Sequence, residues 1–125
     1  MENNIAIVST DLKLRVNLFS LLKNEHFKAA LAGSITELEQ LLESGNYIAA
    51  IVDIDLLQIS NRTIREISTQ HPGLHFLCIS TNRFHPDLKD AFASSIYACI
   101  QKPIDDDELL YFIRSIFKDS EVDTE

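Results

Sequence analysis

The chain has 125 residues, of which 46% are hydrophobic and 24% are charged, so we expect one globular domain with a single core. The formal net charge of −8 argues against direct binding to nucleic acid, which requires a basic surface. The sequence has no basic, apolar start typical of a signal peptide and no apolar run near the ~20 residues that span a bilayer. We therefore expect a cytoplasmic protein that does not bind membranes.

Apolar runs of strand length alternate along the chain with segments of helical period. This pattern is typical of repeated βα units around a parallel sheet. The predicted strands cover residues 4–8, 28–32, 47–52, 75–79 and 97–100.

Each predicted strand is followed by a predicted helix. The second and fifth helices begin at Ser34 and Asp105, side chains that can cap a helix, and a glutamate follows each three residues later. The third helix is expected over residues 61–69 and the fourth after Pro86. The first helix has an apolar face that comprises Leu14, Leu18, Leu21 and Leu22.

The end of the chain is acidic, because residues 119–125 contain four acidic residues and no basic one. We therefore expect a domain over residues 1–118 and a disordered acidic tail, or the start of a linker, over residues 119–125. Cys78 and Cys99 lie within apolar strand runs, which predicts two buried thiols in a reducing compartment and no disulfide.

Reactive side chains follow three of the predicted strands. Asp53 comes directly after the third strand, Ser80 after the fourth, and Lys102 shortly after the fifth, followed by Pro103. The carboxyl ends of parallel strands form the edge at which such sheets bind ligands. Taken singly, these residues fit a turn-capping acid, an ordinary serine and a surface lysine, but their order on consecutive strands indicates one shared site.

This joint pattern resembles the receiver domain of response regulators, from residue 5 to about residue 117. The resemblance implies an α/β fold of the CheY-like, flavodoxin-like (βα)5 type, a doubly wound parallel sheet with strand order 2-1-3-4-5. It implies a role in two-component phosphorelay signalling, with no enzyme activity beyond self-phosphorylation from a phosphodonor and autodephosphorylation. By match to the family, Asp53 is the phosphoacceptor, Ser80 and Lys102 contact the phosphoryl group, and the bond between Lys102 and Pro103 is cis.

The resemblance also implies partners. A sensor histidine kinase or a phosphotransfer protein would supply the phosphoryl group. An output protein or domain would bind the face formed by the fourth helix, fifth strand and fifth helix, and a homodimer is compatible with the family. Tyr97, Cys99 and Pro103 are expected on this switch and output face, with Cys99 at the position of the usual aromatic switch residue and Tyr97 on the same side of the strand.

The chain departs from the family at the acidic pair that holds Mg²⁺, because those positions match Ser9 and Thr10. A site with fewer carboxylates holds Mg²⁺ more weakly. We therefore expect Mg²⁺ to bind weakly if at all, through Asp53 with help from Asp11 and Asp55, although Asp11 equally fits the N-cap of the first helix. No other cofactor is indicated.

Two hypotheses about function follow, a phosphorylation switch at Asp53 and a phosphorylation-independent interaction module of the same fold. A flavodoxin-like or nucleotide-binding enzyme is a third, but the sequence lacks both the Gly-x-Gly-x-x-Gly and the Gly-Lys-Ser/Thr pattern that would cradle a phosphate. A histidine metal site is also disfavoured, since His71 and His75 are the only closely spaced pair and they flank a Pro-Gly turn.

Overall fold

Five parallel strands form one sheet, in the order β2-β1-β3-β4-β5. The structure is a computed structural model that describes residues 4–57, 59–81 and 95–123. The predicted strand order is confirmed, and the strand bounds differ from the predicted ones by at most one residue at either end. The strands are β1 (Asn4–Val8), β2 (Lys28–Ala32), β3 (Tyr47–Asp53), β4 (His75–Ser80) and β5 (Ile96–Gln101).

Four helices lie within the described residues: α1 (Leu12–Asn24), α2 (Ile35–Ser44), α3 (Asn61–Gln70) and a last helix (Asp106–Asp123). The fourth helix predicted after Pro86 falls outside the described residues, so the described part matches the plan of five βα units only approximately. Within that part, no helix combines the length and the apolar character needed to cross a membrane.

Side-chain caps fix the points at which the helices start. The Asp11 carboxylate accepts hydrogen bonds from the backbone N–H groups of Lys13 and Leu14 at the start of α1. Ser34 accepts one from the N–H of Glu37 at 3.1 Å, and Asp105 caps the last helix in the same way. These contacts satisfy N–H groups that have no partner within the helix.

The sheet is buried on both faces, which explains why its strands are continuous apolar runs. Successive residues of β3 alternate between two core clusters: Ala50 and Val52 pack under α2 and α3, whereas Ala49 and Ile51 pack under α1 and the last helix. The two layers of helices hold the strands in place from both sides.

A register shift in β5 separates two residues that we expected on one face. Phe76 pairs with Ile96 and Leu77 with Ala98, so Tyr97 is an extra residue between the two pairs. Tyr97 packs with the core cluster under α1 and the last helix, while Cys99 packs with the opposite cluster. The prediction that they share a face is wrong, because one inserted residue reverses the alternation of side chains.

The last helix extends to Asp123 and so includes residues 119–123 of the predicted tail. The Tyr97 hydroxyl donates a hydrogen bond to the Asp119 carboxylate at 3.1 Å, which ties this helix to β5. The domain boundary at residue 118 stays a prediction.

Core packing predicts a large contrast between two positions of α1. Leu22 is fully buried, whereas Val16 is 61% exposed. Leu22→Ala should lower the free energy of unfolding by about 2–5 kcal/mol, because it removes buried methyl groups and leaves a cavity. Val16→Ala, the control on the same helix, should change it by less than about 0.5 kcal/mol. Urea unfolding measures both, and equal losses would contradict the described packing.

Candidate functional site

The carboxyl ends of three strands bring the predicted site residues together. Asp53 is the last residue of β3, Ser80 is the last residue of β4, and Lys102 follows β5 directly. Asp53 is only 1% exposed and Ser80 is fully buried. Ser9, the residue after β1, joins them and is 1% exposed.

Both carboxylate oxygens of Asp53 accept hydrogen bonds from the protein. Oδ1 lies 3.0 Å from the Lys102 ammonium and 3.2 Å from the backbone N of Asp55. Oδ2 accepts a hydrogen bond from the Ser9 hydroxyl at 3.1 Å, and that hydroxyl oxygen accepts one from the Asp11 N–H at 3.0 Å. The buried charge of Asp53 is therefore stabilised by one cation and two hydrogen-bond donors.

Asp55 lies two residues further along, has two donors of its own and shares a third with Asp53. The Ser80 hydroxyl donates to its Oδ1 at 2.7 Å, and the Thr81 N–H donates to its Oδ2 at 2.8 Å. The Lys102 ammonium lies 3.2 Å from Oδ2. Lys102 therefore bridges the carboxylates of Asp53 and Asp55.

Backbone contacts of β4 and β5 set the position of Lys102. Its N–H donates to the Ser80 carbonyl at 2.8 Å, and the Gln101 side-chain amide donates to the Thr81 carbonyl at 3.2 Å. The peptide bond between Lys102 and Pro103 is cis, as the resemblance implied. These contacts aim the ammonium back across the strand ends.

The ionic contacts shift two pKa values in the directions that favour the charged forms. Burial alone would raise the pKa of Asp55, but the hydrogen bonds from Ser80 and Thr81 and the charge of Lys102 bring it below its ordinary value. Burial alone would lower the pKa of Lys102, but its two carboxylate partners bring it above its ordinary value. The ammonium and the Asp55 carboxylate thus stabilise each other.

The cysteines lie away from this chemistry. Cys78 is fully buried, as predicted, and Cys99 is half-buried. Burial, with a smaller contribution from nearby Cys99, raises the pKa of Cys78 to about 12. A thiol with so high a pKa is a poor nucleophile.

The donor set does not fit a Mg²⁺ site. Asp11 uses its carboxylate to cap α1, and Thr10 is exposed. Asp53 and Asp55 already share the Lys102 ammonium, which would repel a divalent cation between them. Across residues 4–57, 59–81 and 95–123, no group of three His, Cys, Asp or Glu side chains could hold a metal ion.

The residues predicted for the switch and output face lie in different parts of the structure and do not form one cluster. The Tyr97 ring packs edge-on against those of His75 and Phe112, and burial, followed by the contact with Asp119, raises the pKa of its hydroxyl. Pro103 lines a cleft of about 350 Å³ between α1 and the start of the last helix. The part of this face expected from the fourth helix lies outside the described residues.

Sequence reasoning missed two contributors to the site. The Thr81 N–H is a backbone donor, and its residue type carries no signal for this role. Gln101 was given no role, yet its side-chain amide donates to the Thr81 carbonyl in the turn that presents Thr81. A glutamine directly before the Lys-Pro step is the signal that could have suggested this contact.

Comparison with solved structures shows the same fold. A CheY-like response regulator receiver domain protein from Methanospirillum hungatei is 18% identical with a TM-score of 0.87, over 98% of this chain and 99% of that one. The receiver domain of an HD domain-containing protein from Pseudomonas fluorescens is 22% identical with a TM-score of 0.86, over 98% and 92%.

A third structure contains a Saccharomyces cerevisiae histidine phosphotransfer signalling protein with the receiver domain of its downstream response regulator. The match is 18% identical with a TM-score of 0.71, over 86% of this chain and 83% of that one. No curated protein sequence matches the chain. The family model of the response regulator receiver domain matches residues 5–114. The chain therefore belongs to the response regulator receiver family of two-component signalling.

Proposed function

We propose that this receiver domain is a protein-interaction module whose output does not depend on phosphorylation of Asp53. One observation carries the proposal: Lys102 bridges Asp53 and Asp55, while the Ser9 hydroxyl donates to the second oxygen of Asp53. The module would be atypical because Ser9 and Thr10 stand where the family has acidic residues.

The chemistry of phosphoryl transfer supports this proposal. Attack by a carboxylate on a phosphoryl group brings negative charges together, so cations must neutralise oxygen charge in the transition state. In this site Lys102 supplies that charge while already engaged by two carboxylates. Loss of a metal's contribution costs several kcal/mol, which corresponds to a rate lower by about a thousandfold or more.

A specific observation favours a second candidate, an atypical receiver in which Asp53 is the phosphoacceptor. Asp53 lies 3.0 Å from Lys102, and Ser80 ends the neighbouring strand, so all three family positions keep their residue types. The donor would be a sensor histidine kinase or a phosphotransfer protein, as in the Saccharomyces cerevisiae complex. In this candidate the only chemistry is self-phosphorylation from a phosphodonor and autodephosphorylation.

The partner surface is proposed on β5 and the last helix. Tyr111 is 66% exposed on that helix, and an exposed aromatic side chain is a common anchor for a protein partner. An output protein or domain, or a second copy of the chain, fits this surface better than nucleic acid, since the formal net charge is −8. We place this module in the cytoplasm.

The contribution of Lys102 to stability tests whether it neutralises the buried carboxylate. Lys102→Met should lower the free energy of unfolding at neutral pH by about 3 kcal/mol, because it leaves Asp53 buried without its cation. Lys118→Met removes an exposed lysine of the last helix and should change stability by less than about 0.5 kcal/mol. Urea unfolding compares the two, and a loss no larger than that of the control would show that Lys102 does not hold the site together.

The pKa shifts predict how the Asp55 contact depends on pH. The lowered pKa of Asp55 means that its contribution is present above the ordinary value of 3.8 and is lost as the pH falls through the lower folded value. The raised pKa of Lys102 means that its contribution is present below 10.5 and is lost as the pH rises above it.

The stability difference between the parent and Asp55→Asn should therefore be constant from about pH 5 to pH 9 and shrink below about pH 4. Urea unfolding at a series of pH values gives this difference. A change centred near neutral pH would contradict the described ion pairs.

Amide NMR spectra distinguish the two candidate functions. With millimolar Mg²⁺ and then beryllofluoride, an acyl-phosphate mimic, the parent should show no shifts around Asp53, because its carboxylates are already engaged by the protein. Restoring the acidic pair with Ser9→Asp and Thr10→Asp should create Mg²⁺-dependent shifts, since it supplies the hard oxygen ligands that Mg²⁺ requires.

Asp53→Asn added to that double variant is the control and should weaken the metal response. Shifts in the parent that spread from Asp53 to Ser80, Tyr97 and Lys102 would instead favour the phosphorylation switch.

A further inference from the structure

Three donors from two strand ends converge on the carboxylate of Asp55. They are the Ser80 hydroxyl at 2.7 Å, the Thr81 backbone N–H at 2.8 Å and the Lys102 ammonium at 3.2 Å. Ser80 ends β4, Thr81 follows it, and Lys102 follows β5, so the donors are held by the sheet and not by the loop that carries Asp55. The backbone positions of the donors are therefore set independently of the loop that carries Asp55.

This donor set has the chemistry of an oxyanion site. A hydroxyl, a backbone N–H and an ammonium together offer charge-assisted hydrogen bonds to the oxygens of a carboxylate or a phosphate. The position is reachable from solvent, because Thr81 is exposed and the Asp55 and Lys102 side chains are 21% and 23% exposed.

We propose that the Asp55 carboxylate is a built-in anion that occupies the phosphoryl-contacting position assigned to Ser80 and Lys102 by the family resemblance, where the Thr81 N–H is a further donor. An external oxyanion is excluded while Asp55 is in place and binds when that side chain is removed. This inference rests on the proposed function, because an anion site that is already filled would explain why the module does not respond to a phosphoryl group.

Local charge supports the exclusion. Asp53, Asp55 and Lys102 together carry a formal charge of −2 + 1 = −1, and removing the Asp55 carboxylate brings it to −1 + 1 = 0. Lys102 keeps its contact with Asp53 in that variant, so its ammonium stays at the site. Because the charge is then only balanced, we expect phosphate to bind in the millimolar range.

The test is a titration of the labelled full chain with inorganic phosphate, without metal, followed by amide NMR. The parent should show no saturating shifts. Asp55→Ala should show shifts at Thr81 and Lys102 that saturate at phosphate concentrations at least tenfold lower than any effect in the parent. Adding Ser80→Ala to Asp55→Ala should weaken binding again, because it removes one donor.

Glu39→Ala is the matched control. It removes one negative charge from an exposed position of α2, so it changes the net charge equally and should behave as the parent does. If Asp55→Ala does not give a folded spectrum, Asp55→Ser replaces it, because a serine is compatible with the turn and lacks the carboxylate.

Two outcomes would overturn the inference: phosphate binding by the parent as tight as by Asp55→Ala, or a folded Asp55 variant that shows no phosphate shifts at this edge. Neither result depends on how the parent responds to Mg²⁺ and beryllofluoride, which is measured separately. The inference can therefore fail while the proposed function stands, and the reverse also holds.

Discussion

The buried charge of Asp53 is the constraint on which the site depends. A carboxylate that is 1% exposed loses most of its hydration, and folding tolerates this only when a cation and hydrogen-bond donors replace the water. Lys102 supplies the cation, and it can do so only because β5 lies beside β4 and ends at the same edge. This ion pair depends on the sheet order, on the hydrogen bond from the Lys102 N–H to the Ser80 carbonyl, and on the turn that Gln101 holds.

Ser9 changes the charge balance of that edge in a way that goes beyond the loss of a metal ligand. An acid at this position would add a third negative charge beside Asp53 and would require a further cation. The serine hydroxyl instead donates to Asp53 and is itself oriented by the Asp11 N–H. The buried carboxylate thus has the Ser9 hydroxyl on one oxygen and the Lys102 ammonium on the other.

The sequence predicted the elements that depend on local pattern. The apolar runs located all five strands, and capping residues such as Ser34 and Asp105 located helix starts, because both signals involve only neighbouring residues. The shared edge of Asp53, Ser80 and Lys102 followed from strand ends alone. The predicted order of the strands came from the family resemblance.

Other features could not be predicted, because they depend on contacts between distant segments. The extra residue at Tyr97 arises from the pairing of β5 with β4. Because of it, Tyr97 and Cys99 lie in opposite core clusters, whereas regular alternation would put both in the same one. Asp11 and Asp55 were both candidate metal ligands by residue type. The sequence offered the N-cap of α1 as an alternative role for Asp11, and the structure shows that role. The three donors that reach Asp55 from other strand ends become visible only when the backbone is placed.

Those contacts bear on whether the domain can switch at all. A ligand shifts an equilibrium only if it binds two conformations with different affinity, and a movable residue must be able to leave one partner for another. Ser80 and Lys102 would have to exchange Asp55 for an incoming phosphoryl group, so the gain from the new contacts is offset by the loss of existing ones. The net driving force for a conformational change would thereby be reduced, which is what the proposed phosphorylation-independent module requires.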